Sequence, residues 1–123
     1  MIRKMSPEEL KARCKQFSLR VIRLVRALPD DKIGRPIANQ LIRSGTSVAA
    51  NYRAACLAKS RADFASKVGT AVEEADESAL WMELIMEDEI LPRDKVHALW
   101  LEATELTSIF CASIKTARRN GAD

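Results

Sequence analysis

QLIRSGTSVAANYRAA, residues 40–55, decides the fold of this 123-residue chain. Apolar residues recur there at helical spacing, yet Ser44, Gly45, Thr46 and Ser47 stand together in the middle. Gly inside a helix costs about 1 kcal/mol relative to Ala, and Ser and Thr compete locally for backbone hydrogen bonds. Placing weak helix formers at the centre of a helix calls for a reason in packing. Two rows run through the stretch: Ile37, Leu41, Ser44, Val48, Asn51 and Ala55, and beside it Ala38, Ile42, Gly45, Ala49, Tyr52 and Cys56. Gly45 and Ala49 form a small-x-x-x-small row that admits a close neighbour, and Ser44, Ser47 and Asn51 are placed to hydrogen-bond across the gap. Arg43 needs a carboxylate, and Glu74 and Glu77 are the candidates. With Gln40, these residues form a polar seam: Gln40, Arg43, Ser44, Ser47, Asn51, Glu74 and Glu77.

Three further segments carry the helical period. SPEE, residues 6–9, reads as an N-cap serine, a proline at the first helical position and a glutamate closing a capping box. The seam that follows is Leu10, Cys14, Phe17, Val21, Leu24 and Leu28, until Pro29, Asp30 and Asp31 break it. Ser60 can cap a third helix, with Asp63 at the box position and a seam from Phe64 through Val68, Ala71, Ala75, Ser78 and Met82 to Ile85. A fourth carries Val96, Leu99, Ala103, Leu106, Phe110 and Ala117. The expected helices are 7–28, 35–57, 61–89 and 93–119. Short connections between long helices imply antiparallel neighbours. The expected architecture is therefore all-α, an up-down-up-down four-helix bundle in one domain over residues 1–123.

Composition agrees with this. Hydrophobic residues make up 47% and charged residues 30%, with only 4 Gly, 4 Pro and 5% aromatics, which suits helices better than a sandwich or barrel. The formal charge is +3. Cys14, Cys56 and Cys111 form no C-x-x-C pair, and there is no signal-peptide pattern, so a reducing cytoplasm and core-filling cysteines are expected. No run approaches the roughly 18 apolar residues of a membrane span.

Charge is divided unevenly. Residues 1–28 carry eight bases against two acids, and residues 59–90 carry nine acids against three bases. Arg13, Arg20 and Arg23 recur on one side of the first helix, and Lys4, Lys11 and Lys15 extend a strip toward the N-terminus. Such a stripe suits a phosphate backbone, which makes Lys11, Arg13, Lys15, Arg20 and Arg23 the candidate nucleic-acid contacts. The competing reading pairs the same bases with the acidic third helix, within one chain or between subunits.

Catalytic patterns are weak. EEADE, residues 73–77, with Glu83 and Glu87, evokes a carboxylate-bridged metal bundle, but that site needs two Glu-x-x-His pairs. His97 is the sole histidine and follows Asp94 at that spacing. The alternative to a metal site has Glu73 and Glu77 facing solvent while Glu74 turns toward another helix. No triad, Walker loop or dinucleotide fingerprint is present. Neither enzyme activity nor a cofactor is expected. Trp81 and Trp100 could stack bases, but their apolar flanks favour packing.

Residues 40–85 carry a resemblance. The run Gln40, Leu41, Arg43, Ser44, Ser47, Ala50, Asn51, Ser60, Asp63, Phe64, Lys67, Ala71, Glu74, Glu77 and Trp81 resembles the bacterial four-helix bundle protein family. That family is named for proteins encoded in intervening sequences of large-subunit ribosomal RNA genes. It also includes the accessory variability determinant proteins of diversity-generating retroelements. The resemblance implies an antiparallel bundle that assembles into a homopentameric ring. For retroelement-like members it implies a basic barrel surface that binds RNA and DNA and contacts a reverse transcriptase. Arg43, Asn51 and Glu74 would be packing and hydrogen-bonding positions. A protein-protein adaptor without nucleic-acid affinity is the alternative function.

Overall fold

The computed structural model describes residues 5–121. Four helices account for nearly all of them: α1 (Pro7–Ala27), α2 (Gly34–Cys56), α3 (Arg61–Glu87) and α4 (His97–Gly121), with a short 3-10 turn at Arg93–Lys95 before α4. Among the described residues there is no strand. Lys4 and the last two residues lie outside this range.

The local signals act as read at two helix starts. Ser6 Oγ accepts from the Glu9 amide at 3.1 Å, and the Ser6 amide donates to Glu9 Oε1 at 3.2 Å, a closed capping box. Ser60 Oγ accepts from the Asp63 amide at 3.0 Å. Asp63 does not complete a box; its carboxylate takes Lys67 Nζ at 2.7 Å, one turn along the helix. Helix α2 starts without a side-chain cap at Ile33. Asp31 serves instead, accepting from the amides of Ile33 and Gly34 at 3.1 and 2.7 Å. Gly34 is obligatory at this corner, because a Cβ there would lie 1.8 Å from the Pro29 carbonyl oxygen.

Helix α3 ends in a Schellman arrangement. Ile90 N–H donates to Ile85 O at 2.9 Å and Glu89 N–H to Met86 O at 3.1 Å. Glu89 sits at φ 54°, the left-handed region that favours glycine. Helix α4 begins at His97, four residues later than expected, because residues 93–95 form the tighter turn.

The helices pack in cyclic order. Interhelical bonds set antiparallel registers: Arg61 Nη1 donates to Asn120 O at one end of the α3/α4 pair, and Trp100 Nε1 donates to Glu83 Oε2 further in. Contacts are densest along α3/α4 and α2/α3, fewer at α1/α2 and sparsest at α1/α4. Phe17, Val21, Leu41, Val48, Val68, Met82, Ile85, Val96, Leu106 and Phe110 are fully buried between them. Tyr52 stacks on Phe110 with ring centroids 5.7 Å apart. Burial first, and then a hydrogen bond with Cys56, raises the Tyr52 hydroxyl's pKa.

The cysteines divide. Cys14 is buried and Cys56 half-buried, but Cys111 lies on the exposed side of α4, so it does not fill the core. Burial pushes the Cys14 thiol up to about 12, with the nearby Glu102 carboxylate adding to the shift.

Candidate functional site

The polar residues singled out from the sequence fall in two places: the seam around Arg43 and the basic stripe of α1. At the seam, Arg43 Nη1 donates to Glu74 Oε2 at 2.9 Å, and Nη2 donates to Glu77 Oε2. Glu77 also accepts from Trp81 Nε1 at 3.2 Å, so it is engaged and not simply solvated, whereas Glu73 is exposed. These two carboxylates keep the Arg43 guanidinium firmly protonated. Gln40 Oε1 accepts from Arg43 Nε at 3.4 Å.

Beneath this bridge lie two fully buried hydroxyls. Ser44 Oγ and Ser78 Oγ are 2.9 Å apart. Each hydroxyl has one proton to give. Ser78 Oγ also lies 2.9 Å from Glu74 O and Ser44 Oγ 3.3 Å from Leu41 O, so whichever hydroxyl donates across the pair, the other has a carbonyl in its own helix to donate to. Every buried polar atom at this seam is satisfied.

Two expectations for this stretch change. Asn51 Nδ2 donates to Ser47 O at 2.8 Å within α2 and does not cross to a neighbour. Gly45 meets α1, while the seam of Arg43 and Ser44 meets α3. A Cβ on Gly45 would lie 2.6 Å from Val21 Cγ1, and Ser18 Oγ donates to Gly45 O at 2.9 Å. Adjacent residues of α2 thus serve two different neighbours.

The basic stripe divides as well. At 3.6 residues per turn, Lys15 lies roughly 140° around α1 from Arg20, so the five candidate cations do not share one face. Lys11 pairs with Glu8 at 3.1 Å on the exterior, and Lys15 is exposed. Arg13 is committed within the bundle. Its Nε and Nη2 donate to Glu102 Oε2 and Oε1, both at 2.7 Å, and Nη2 also reaches Glu105 Oε2 at 2.5 Å. The hydrogen bond to Glu102 is the main cause of a raised Arg13 pKa, against the opposing effect of burial. The expected acidic partner helix was α3, but Arg13 pairs with α4. Among the described residues no ion pair joins α1 to α3.

Arg20 and Arg23 make no hydrogen bond or ion pair among the described residues. They border an open cleft of about 500 Å³ between the second half of α1 and the start of α4. Lys95, which sequence reading did not single out, joins them from the opposite wall and is likewise unpaired. A lysine beside Pro92 in a connecting segment carries no sequence signal for this.

The tryptophans pack rather than present free faces. Both are half-buried against the core, with their indole N–H groups on Glu77 and Glu83. His97 stacks on Trp100 with centroids 5.5 Å apart. Among the described residues no group of three metal-ligating side chains gathers, and no helix is long and apolar enough to cross a membrane.

Comparison with known proteins gives the relationship. A crystal structure of a protein of unknown function, from the S23 ribosomal protein family of Bacteroides thetaiotaomicron, superposes with a TM-score of 0.83 at 32% identity. The match covers 90% of this chain and 99% of that one. No curated protein matches the chain. The family model described as 23S rRNA-intervening sequence protein matches residues 9–112. By that match and the shared four-helix fold, the chain belongs to the 23S rRNA-intervening sequence protein family.

Proposed function

We propose that this protein is a non-enzymatic, homo-oligomeric bundle that binds nucleic acid, RNA or DNA, through the basic flank of α1. The observation that carries the reading is the pair of unbonded cations, Arg20 and Arg23, beside a cleft that Lys95 completes. A folded protein usually pairs such groups with acids or spreads them over a solvated face. Three unpaired cations converging on one opening favour an anionic partner. Lys15, exposed, and Lys11, paired with Glu8, lie farther around α1 and stand outside this opening. Arg13 is a structural residue in this reading.

Electrostatic binding of this kind weakens steeply with salt, because each neutralised phosphate releases counterions. Fluorescence anisotropy across a salt series tests it. We expect affinity for RNA or DNA at low salt, with log K falling linearly against log salt. Replacing Arg20 and Arg23 together by Ala should flatten the slope by about 2. No binding at low salt, or a slope unchanged in the double variant, overturns the proposal.

The oligomer we propose is a homopentameric ring in the cytoplasm, with a reverse transcriptase as the protein partner in a retroelement setting. Light scattering of the purified protein tests the mass, and co-purification tests the partner. One observation favours the adaptor alternative. Leu80 and Leu84 are exposed on α3 among acidic residues, and Leu101 is exposed on α4. A neighbouring subunit could cover the apolar patch and pair its α1 bases with the acids around it. Heterologous contacts of that kind close into a ring when the rotation between subunits closes. In that case Arg20→Glu with Arg23→Glu would lower the oligomer's mass, and an unchanged mass removes the alternative.

A further inference from the structure

We infer that the α1/α4 cleft seats one unpaired nucleotide, its phosphate held by Arg20, Arg23 and Lys95 and its base laid on an apolar floor. This rests on the nucleic-acid reading above and narrows it from any polyanion to a strand with accessible bases.

The cleft has two chemical halves. Three cations stand at its rim, and no acidic side chain lines it. Its apolar lining is buried Leu24 and Leu99, half-buried Leu91 and exposed Pro92, with two exposed alanines, Ala27 and Ala98, leaving room. Leu24 and Leu99 are core side chains whose outer edges form the floor. The volume of about 500 Å³ falls in the roughly 300–1,000 Å³ range of small-ligand pockets.

The cleft follows from the packing. Helices α1 and α4 touch least of the adjacent pairs, and the Arg13 clamp to Glu102 and Glu105 ties them together seven residues before Arg20. Beyond the clamp, Ala27 and Ala98 cannot fill the space between the helices.

An anion that fits both halves needs a charged group beside a broad apolar body. A duplex offers phosphates to the rim but keeps its bases stacked inside. An unpaired nucleotide offers both, and its base gains contact with the floor and with the guanidinium planes. The floor carries no hydrogen-bonding side chain to read a base edge, so the seat should be indifferent to base identity.

The test uses the purified full chain at low salt and labelled oligonucleotides of about 12 nucleotides. Single strands should bind about 10-fold tighter than the matching duplex, in keeping with the value of one stacked base. Ala27→Phe and Ala98→Phe, made separately, fill the seat without removing charge at positions that are already exposed. Each should abolish the single-strand preference and leave duplex affinity unchanged. An abasic strand should bind wild type as weakly as duplex. Equal single-strand and duplex affinity that still depends on Arg20 and Arg23 overturns the seat but spares the basic surface. Absence of all binding overturns both. Retained single-strand preference in both filled variants also overturns the seat. So does a glutamate-rich peptide that binds wild type and is lost on filling.

Discussion

The α2/α3 and α1/α4 seams use the same device and pack differently. In each, one arginine bridges two glutamates one helical turn apart: Arg43 to Glu74 and Glu77, Arg13 to Glu102 and Glu105. At α2/α3 the bridge covers a closely packed interior with the Ser44–Ser78 pair beneath it. At α1/α4 it joins two helices that otherwise meet sparsely, and the seam opens into the cleft beyond it. An ion pair sets register in both places, but side-chain volume determines whether a seam closes.

The largest expected effect falls between the two seams, where Gly45 on the other side of α2 admits α1. Gly45→Leu drives a side chain into Val21, whose Cγ1 would lie 2.6 Å from even the first added carbon. The loss should reach about 3 kcal/mol, the upper range of overpacking. Urea unfolding measures it, and Val21→Ala in the same chain should restore part. A neutral Gly45→Leu would show that α1 yields freely at this point.

Arg13→Met comes next and acts on the sparse side. The Glu102 side chain is only 15% exposed and would lose its bidentate partner. The expected loss is about 2 kcal/mol, below the roughly 3–5 kcal/mol of a fully buried pair. Arg43→Met should cost less, since Arg43 is nearly half exposed and dense packing holds its seam without it. If Arg43→Met shifts the urea midpoint more than Arg13→Met, the contrast between the seams is wrong.

Ser44→Ala sharpens the comparison further. Alone it should cost about 1 kcal/mol, while Ser44→Ala with Ser78→Ala should cost little more, because no buried hydroxyl is then left unmatched. Full additivity in that double-mutant cycle would mean that the two hydroxyls do not act as a pair.

The effect that is smallest near neutral pH concerns Cys14, beneath the Arg13 clamp. Its folded pKa is raised from 9.0 to about 12, so the folded state holds the thiol proton more tightly than the unfolded chain. The contribution to stability is therefore fully present below about pH 9 and is lost as pH rises toward about 12. At neutral pH a thiol reagent should label exposed Cys111 quickly and Cys14 only on unfolding, as peptide mass spectrometry would show. Rapid labelling of Cys14 in the folded protein would mean that the sparse seam opens readily.

Why one bridge is legible and the other is not follows from range. Arg43 stands in an unusual polar run, and Glu74 and Glu77 dominate the next helix, so charge and helical spacing suffice to pair them. Arg13 stands in a run of bases and reads as part of a stripe. Its partner Glu102 lies 89 residues away. The signal that could have found it is the shared spacing: Glu102 and Glu105 repeat the separation of Glu74 and Glu77. Gly45 is a related case, since its small size is plain but the helix it admits is not.

From sequence alone come four helices, their caps, their apolar seams and the polar seam at Arg43, because each rests on local propensity and period. Tertiary structure alone decided which flank of α1 meets α4, and so which arginines are spent on structure and which stay unpaired. It also set Lys95 opposite Arg20 and Arg23. Helical period orders residues around one axis, whereas the neighbour each face meets is set by how four helices of particular side-chain volumes fill space together.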